Sequence, residues 1–540
     1  MKIFIRLCAV WFIFGFGGFA AQASGETIDA DSSSGTDFDA RARLIENLPT
    51  GFFTPVTSPN RAIPVQQLCT EWEPSSMVLI SVPLAGTLSK PKALAFIKEF
   101  LQDAVLHTPI GILYNRDEEK QLGRFIFEIE KDPLLKEYSE RIDFVESRIQ
   151  SLWIRDHGPQ FARSHNGDLV LLDAIYRLLE VESVYDPTQA NGFNLASQKN
   201  YANDLTPQYV AKFLRSDFQY EAMVTRPPLH LHGGDFASDG LGNVFVSEDT
   251  ILGNGGEWDS IESVFKGYYD AENIHVLNSP SGNTARHLDL LFKVADSNTF
   301  LVSRPPAPGF SNSSHGRNLA QKVARSLKNN VEYLERNLPE KKIVRLPMPS
   351  LLVASRAGRL DVLRREILNL VSRKSNVDLL LVLNGNPKSP EVESARSAVA
   401  LEMLVDTGLN INLRNDAHLE TASRRYLGVG VEEFLETYVE DQAIYRSYTN
   451  SLIVTNSILE TLILLPRFLP QEGETQTSYD SMEKEVESVY LSLYPEARLE
   501  WIDADDITLL GGSIHCMSVS VPVQKKLTAS RRLKKPAFLN

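Results

Sequence analysis

Short apolar blocks alternate with longer stretches of helical period along this chain, and that alternation carries its first structural signal. Met77–Val82, Gly111–Tyr114, Arg141–Val145 and Leu169–Ile175 are compact, largely aliphatic runs bounded by polar residues, which predicts strands. Between the first two, Lys90–Ala104 repeats its apolar residues at helical spacing and predicts a helix. Leu290–Val294 and Phe300–Ser303 flank the polar turn Asp296-Ser-Asn-Thr299 and predict a hairpin. Near the end, Ser451–Val454 and Leu462–Leu465 read as strands and Ser478–Tyr490 as a helix. Strands alternating with helices define an α/β protein. No repeat at fixed spacing is visible.

The pattern changes twice. Residues 309–440 lose the strand blocks, and Asn318–Asn330, Leu360–Ser372 and Val399–Thr407 predict a helix-rich insertion. Residues 24–64 are polar, with Ser32-Ser-Ser-Gly-Thr36 and the prolines Pro55 and Pro59, and read as a flexible lead-in. Ahead of them, Lys2 and Arg6 precede the apolar run Leu7–Phe19, and Ala21-Gln-Ala23 offers a small-x-small cleavage site. Residues 1–23 are therefore expected to be a signal peptide, and the mature chain an exported protein with no stable membrane span. The apolar run falls short of the ~20 residues a spanning helix needs. The catalytic domain is expected over 65–530, with a basic tail at 531–540.

A net charge of −14 disfavours nucleic acid as a partner, because phosphate binding needs a basic face, and mildly favours cationic ligands. Of three cysteines, Cys8 lies in the leader, leaving Cys69 and Cys516. Two cysteines do not make a disulfide scaffold. Either they pair, or at least one is kept as a thiol.

Three strings carry chemistry: Trp153-Ile-Arg-Asp-His-Gly-Pro159, His287-Leu-Asp289 and Gly511-Gly-Ser-Ile-His-Cys516. They supply two carboxylates, an imidazole and a thiol. A guanidinium ion is planar, cationic and rich in forked donors, so carboxylates grip it well. Its delocalised carbon is a poor electrophile, and a thiolate is a far better nucleophile toward it than a hydroxyl. Histidine can protonate the departing nitrogen and then activate water. Together these groups suit guanidine deimination. His287 and Asp289 are expected to alternate on one strand and share a face, and Asp156 to lie in a loop closed by Gly158-Pro159.

With His232-Gly-Gly-Asp235, Asp239-Gly240 and Tyr448–Val454, these strings occur in an order that resembles the bacterial peptidyl-arginine deiminase and agmatine deiminase branch of the guanidino-group-modifying enzymes. The resemblance spans roughly residues 65 to 525. It implies a five-bladed, pseudo-symmetric α/β propeller, the pentein fold, with the site at its centre. It implies Cys516 as nucleophile, His287 as general acid and base, and Asp156 and Asp289 as guanidinium clamps. Trp153, Asp235 and Asn450 would line the substrate site, and Arg155 would be structural. No cofactor and no metal are expected, and no calcium loop of the EF-hand type is present in the sequence. Where this chain has His232, many related sequences carry glutamate. Arg286 stands where relatives often have a small residue, and a salt bridge on the face opposite the site is expected of it.

The substrate is expected to be an arginine-containing peptide or protein, because export fits poorly with agmatine breakdown for putrescine. Agmatine deimination is the runner-up. Only Arg177 offers itself as an anchor for a peptide carboxylate, and Leu178–Ser183 departs from the family pattern. A metal-dependent hydrolase built on His230, His232 and Asp235 is a further alternative, since His-x-His followed by a carboxylate is a permissive ligand pattern.

Overall fold

The computed structural model describes residues 63–176, 202–280 except 255 and 257, 287–305, 314–353, scattered positions of 360–375, 390–437 except 410, 443–470 and 474–524. The leader, most of the lead-in, the basic tail, Arg177–Ser183 and Arg286 lie outside the described residues. Among the described residues no helix is long and apolar enough to cross a membrane.

The predicted elements are present with small changes of boundary. Strands run over Ser75–Ser81, Ile110–Asn115, Ile142–Ser147 and Leu169–Leu172, and the first two are buried along most of their length. The helix predicted after the first strand is Pro91–Val105, with Pro91 at its opening turn, where a missing N–H costs nothing. It buries Ala93, Phe96, Ile97, Phe100, Leu101 and Ala104, a helical stripe turned to the sheet.

Five sheets share one construction. In each, an antiparallel pair is extended by a third strand that runs parallel to the second after a helical crossover. The sets are Ser518–Pro522, Ser75–Ser81 and Ile110–Asn115; Gln160–Ser164, Leu169–Leu172 and Ala222–Thr225; Phe236–Ser238, Asn243–Ser247 and Asn273–Leu277; Phe292–Asp296, Thr299–Ser303 and Lys342–Leu346; and Leu452–Thr455, Thr461–Arg467 and Arg498–Asp503. Two sheets gain a fourth strand, Ile142–Ser147 in the first and Val65–Leu68 in the second.

Two expectations need correction. His287 and Asp289 do not alternate on a strand: Leu288–Leu290 forms a single 3-10 turn, and the strand begins only at Phe292. The tight turn carries Asp289 round toward Cys516 instead of along a sheet face. Asp156 likewise lies on one helical turn, Ile154–His157, before Gly158. Within the stretch expected as an insertion, the helix Ser314–Asn337 is the crossover that leads into Lys342–Leu346, and it buries Leu319, Val323, Leu327 and Leu334 against that sheet. Helices Pro390–Thr407, Asp416–Leu427 and Val431–Thr437 share a separate small core around Ile367, Val399, Met403, Leu419 and Phe434.

Candidate active site

The shared connectivity places chemistry at equivalent points. Asp156, Asp235, Asp289, Asn450 and Cys516 each stand one to four residues ahead of the opening strand of a sheet's antiparallel pair. All five are buried. Strand ends held by hydrogen bonding give them fixed backbones.

Cys516 is a buried thiol. Its Sγ accepts from Asn450 Nδ2 at 3.1 Å and lies 3.5 Å from Asp289 Oδ2, while its backbone N–H reaches Asn450 Oδ1 at 3.4 Å. Asn450 therefore holds the sulfur and its peptide together. The backbone carbonyl of Cys516 accepts from the Arg155 N–H at 3.0 Å, tying the nucleophile turn to the Asp156 turn. A Cβ on Gly512 would come within 2.8 Å of the Trp153 ring and 2.9 Å of Cys516 Cβ, so only glycine lets the indole pack beside this cysteine. Burial, then Asp289 and Asp156, push the Cys516 thiol well above its ordinary range, against help from Ser513 and Asn450.

The two carboxylates differ. Asp289 Oδ2 accepts from His515 Nδ1 at 2.6 Å, and its backbone carbonyl accepts from Thr449 Oγ1 at 3.0 Å. Burial would raise its carboxyl, but His515, His287 and Arg155 hold it below the usual range. Asp156 is pushed up to about 6 by burial, with His287 opposing, Asp289 adding and Arg155 opposing. Among the described residues, Asp156 Oδ1 and Asp289 Oδ1 are buried and receive no hydrogen bond. His287 Nδ1 stands 3.3 Å from Asp156 Oδ1, within ion-pair reach. A Cβ on Gly234 would meet both His287 Nδ1, at 2.8 Å, and Asp156 Oδ1, at 3.0 Å.

His232 Nδ1 lies 2.9 Å from His287 Nε2, and His232 Nε2 lies 3.0 Å from the Tyr176 carbonyl. A carbonyl only accepts, so the network assigns the His232 proton to Nε2 and makes its Nδ1 the acceptor of His287 Nε2–H. Burial lowers the His287 pKa, but Asp156, Asp289, Asp235 and Asp249 more than reverse this, so the ring is raised above its ordinary value. His230 also meets the Tyr176 carbonyl, at 3.2 Å, and burial depresses it to about 4. Asp235 Oδ2 accepts from Ser247 Oγ at 2.6 Å and from Thr250 Oγ1. His230 and His232 thus share the Tyr176 carbonyl while Asp235 is engaged by Ser247 and Thr250, and among the described residues no group of three or more His, Cys, Asp or Glu is arranged to hold a metal ion. Asp239 lies away from the site, fixing a strand turn through Leu241 and Asn243 and pairing with Lys341 at 3.0 Å.

Three further groups crowd the centre without having been singled out in the sequence. His515 bridges Asp289 and Glu71, Lys293 Nζ reaches Glu71 Oε2 at 2.6 Å, and Arg155 Nη2 reaches Glu71 Oε1 at 2.8 Å. Arg155, expected to be structural, is engaged by Glu71. The available signal was Lys293 itself, a charge inside the apolar strand Phe292–Asp296, which requires a buried acid nearby. A cleft touches Glu71, Trp72, Arg155, Asp289, Lys293 and His515 but not Cys516, so it approaches the network from a side other than that of the sulfur.

The sequence profile of the Porphyromonas-type peptidyl-arginine deiminases matches residues 67–522, and the chain belongs to that family. No curated protein matches. A solved structure from Porphyromonas gingivalis, provisionally assigned as an arginine deiminase, is similar with a TM-score of 0.51 at 14% identity, over 84% of this chain and 98% of that one. The agmatine deiminase of Enterococcus faecalis gives 0.49 at 15% identity, over 86% and 96%. That of C. jejuni gives 0.49 at 14%, over 86% and 97%. The P. gingivalis likeness shows a shared α/β fold. Enzymes of this family hydrolyse guanidino C–N bonds, and this chain is a deiminase of that kind.

Proposed function

We propose that this protein is an exported arginine deiminase that converts arginine residues of peptides or proteins to citrulline, releasing ammonia. The observation that carries the reading is that Asp156 and Asp289, the two carboxylates that bear on the Cys516 thiol, each keep a buried Oδ1 that receives no hydrogen bond among the described residues. A buried carboxylate without a donor is costly, and a forked cation relieves two at once. In this reading the five similarly connected sheets form the blades of a pentein propeller around the site.

The proposed reaction uses the substrate's own charge. With the guanidinium bound, Asp156 and Asp289 are compensated and the positive charge favours the Cys516 thiolate. The sulfur attacks the guanidinium carbon, and Asn450 Nδ2 steadies it. His287 protonates the departing nitrogen, which leaves as ammonia, and a thiouronium intermediate remains. The same ring, now neutral, takes a proton from water as it attacks. Collapse yields the ureido group and returns the thiolate. Trp153 walls the pocket beside the sulfur.

Peptide substrates are favoured by the leader-like N-terminus and the acidic chain. The deciding measurement is kcat/KM for an internal arginine in a peptide, a C-terminal arginine, free arginine and agmatine. We expect a peptide to lead. Agmatine ahead by about tenfold, or ~1.4 kcal/mol, would overturn the peptide assignment and leave the deimination chemistry standing.

A further inference from the structure

Glu71 has no part in the reaction just described, yet it is one of the most heavily engaged groups in the molecule. Its Oε1 meets His515 Nε2 at 2.5 Å and Arg155 Nη2 at 2.8 Å, and its Oε2 meets Lys293 Nζ at 2.6 Å. Burial would raise the carboxyl, but His515, Lys293 and Arg155 hold it well below the usual range. The other ring nitrogen of His515, Nδ1, meets Asp289 Oδ2 at 2.6 Å. Ionised carboxylates only accept hydrogen bonds, so a ring engaged by two of them carries both protons. A neutral ring would turn a lone pair toward one carboxylate.

The charged groups around His515 are Glu71, Asp289, Arg155, whose Nε lies 3.5 Å from the His515 carbonyl, and Lys293 through Glu71. The thiol of Cys516 follows in sequence and touches the same Asp289 oxygen as His515. The chain Glu71–His515–Asp289 therefore runs from a fixed ionic anchor to the carboxylate beside the sulfur.

We propose that Glu71 is a positioning residue for deimination: by keeping His515 doubly protonated it occupies Asp289 Oδ2 and turns Oδ1 toward the substrate guanidinium. This rests on the reading of Asp289 as a clamp. Without the Glu71 charge the ring can lose one proton and rotate, and Asp289 gains freedom. Small misplacements of this kind cost rate more than affinity.

The test compares full-length wild type with Glu71→Gln, which keeps size and polarity. Histidine ring nitrogens are ¹⁵N-labelled, and His515→Asn assigns the signal. Wild-type His515, engaged by a carboxylate at each ring nitrogen, should show protons on both. Glu71→Gln should lose one, with kcat on an arginine peptide falling about tenfold or more while KM moves less than about threefold. A singly protonated wild-type ring, a ring unchanged in the variant, or an unchanged kcat would each overturn the proposal. If Glu71→Gln does not fold, the wild-type ring state decides alone. Should wild type release ammonia from no guanidine, the functional reading fails while the ring measurement still judges the link between Glu71 and His515.

Discussion

The two carboxylates of the site sit in halves of the molecule built on opposite principles. Around Asp289 every neighbour is tied: His515 and Cys516 meet its Oδ2, Thr449 holds its backbone, and Glu71, Lys293 and Arg155 close the ionic network behind. Asp156 is held less closely among the described residues: Oδ1 receives no hydrogen bond, and His287 Nδ1 stands 3.3 Å from it. The first carboxyl is held ionised, whereas the second is pushed up to about 6. One half is a fixed anchor. In the proposed reaction the other receives its charge partner with the substrate, beside a histidine that changes protonation during turnover.

The largest effect should come where the halves meet. Cys516→Ser should reduce turnover by more than about a thousandfold, because serine is a much weaker nucleophile and the reacting groups act as a unit. Circular dichroism and binding of a guanidinium inhibitor should be close to wild type. A variant keeping a tenth of the activity, a loss of only ~1.4 kcal/mol, would rule out covalent catalysis through this sulfur.

Next, Asp289→Asn should cost more than Asp156→Asn. Removing the Asp289 charge strands the buried His515 ring as well as the substrate cation, and breaking one side of a buried charge pair typically costs about 3–5 kcal/mol. Asp156→Asn removes the clamp and the charge facing His287 at 3.3 Å but leaves the His515 network intact, so its loss in kcat/KM should be smaller by about tenfold. Equal losses, measured on the same peptide, would erase the proposed asymmetry between the halves.

The asymmetry also sets a pH dependence. Asp156 must be ionised to grip a cation, and its carboxyl titrates at about 6. Activity should therefore fall as pH drops through about 6, since protonation removes the clamp charge. Asp289, held low, stays ionised across that range. The check is log kcat/KM against pH from about 5 to 8. A flat profile through 6 would mean Asp156 is not the titrating clamp.

The sequence made the strands and the two clamp strings legible because buried strands and turn residues leave local marks. It hid the Leu288–Leu290 turn, since His-Leu-Asp-Leu alternates polar and apolar residues just as a strand does. It hid the repeated sheet connectivity because the crossovers differ greatly in length: Trp258–Tyr269 serves one sheet and Ser314–Asn337 another. Extra helices between Leu346 and Ala443 break the spacing further. Glu71 left no mark either, because its partners Lys293 and His515 lie 222 and 444 residues away. Long-range ion networks are a property of the fold, and only the odd lysine inside a strand hints at one.

The smallest predicted effect sharpens the comparison in a group outside the reaction. Asp235 belongs to the raised half: burial lifts its carboxyl to about 7, with His287, Ser247 and Thr250 opposing and Asp249 adding. An exposed aspartate titrates near about 3.9. The folded state therefore holds a proton that the unfolded state has released, so the stability this group contributes is full below about 4 and is lost as pH rises through about 7. Asp235→Asn cannot ionise and escapes that decline. Relative to wild type, its unfolding free energy should improve between about pH 4 and pH 8 by an amount on the order of 1 kcal/mol or more, read from denaturant midpoints. Activity on the arginine peptide should fall less than with Asp156→Asn, because Oδ2 is turned to Ser247 and Thr250 and Asp235 bears on the reaction only through the charge it lends His287. A stability difference independent of pH would show that Asp235 is ionised in the folded protein. The raised character of this half would then be confined to Asp156.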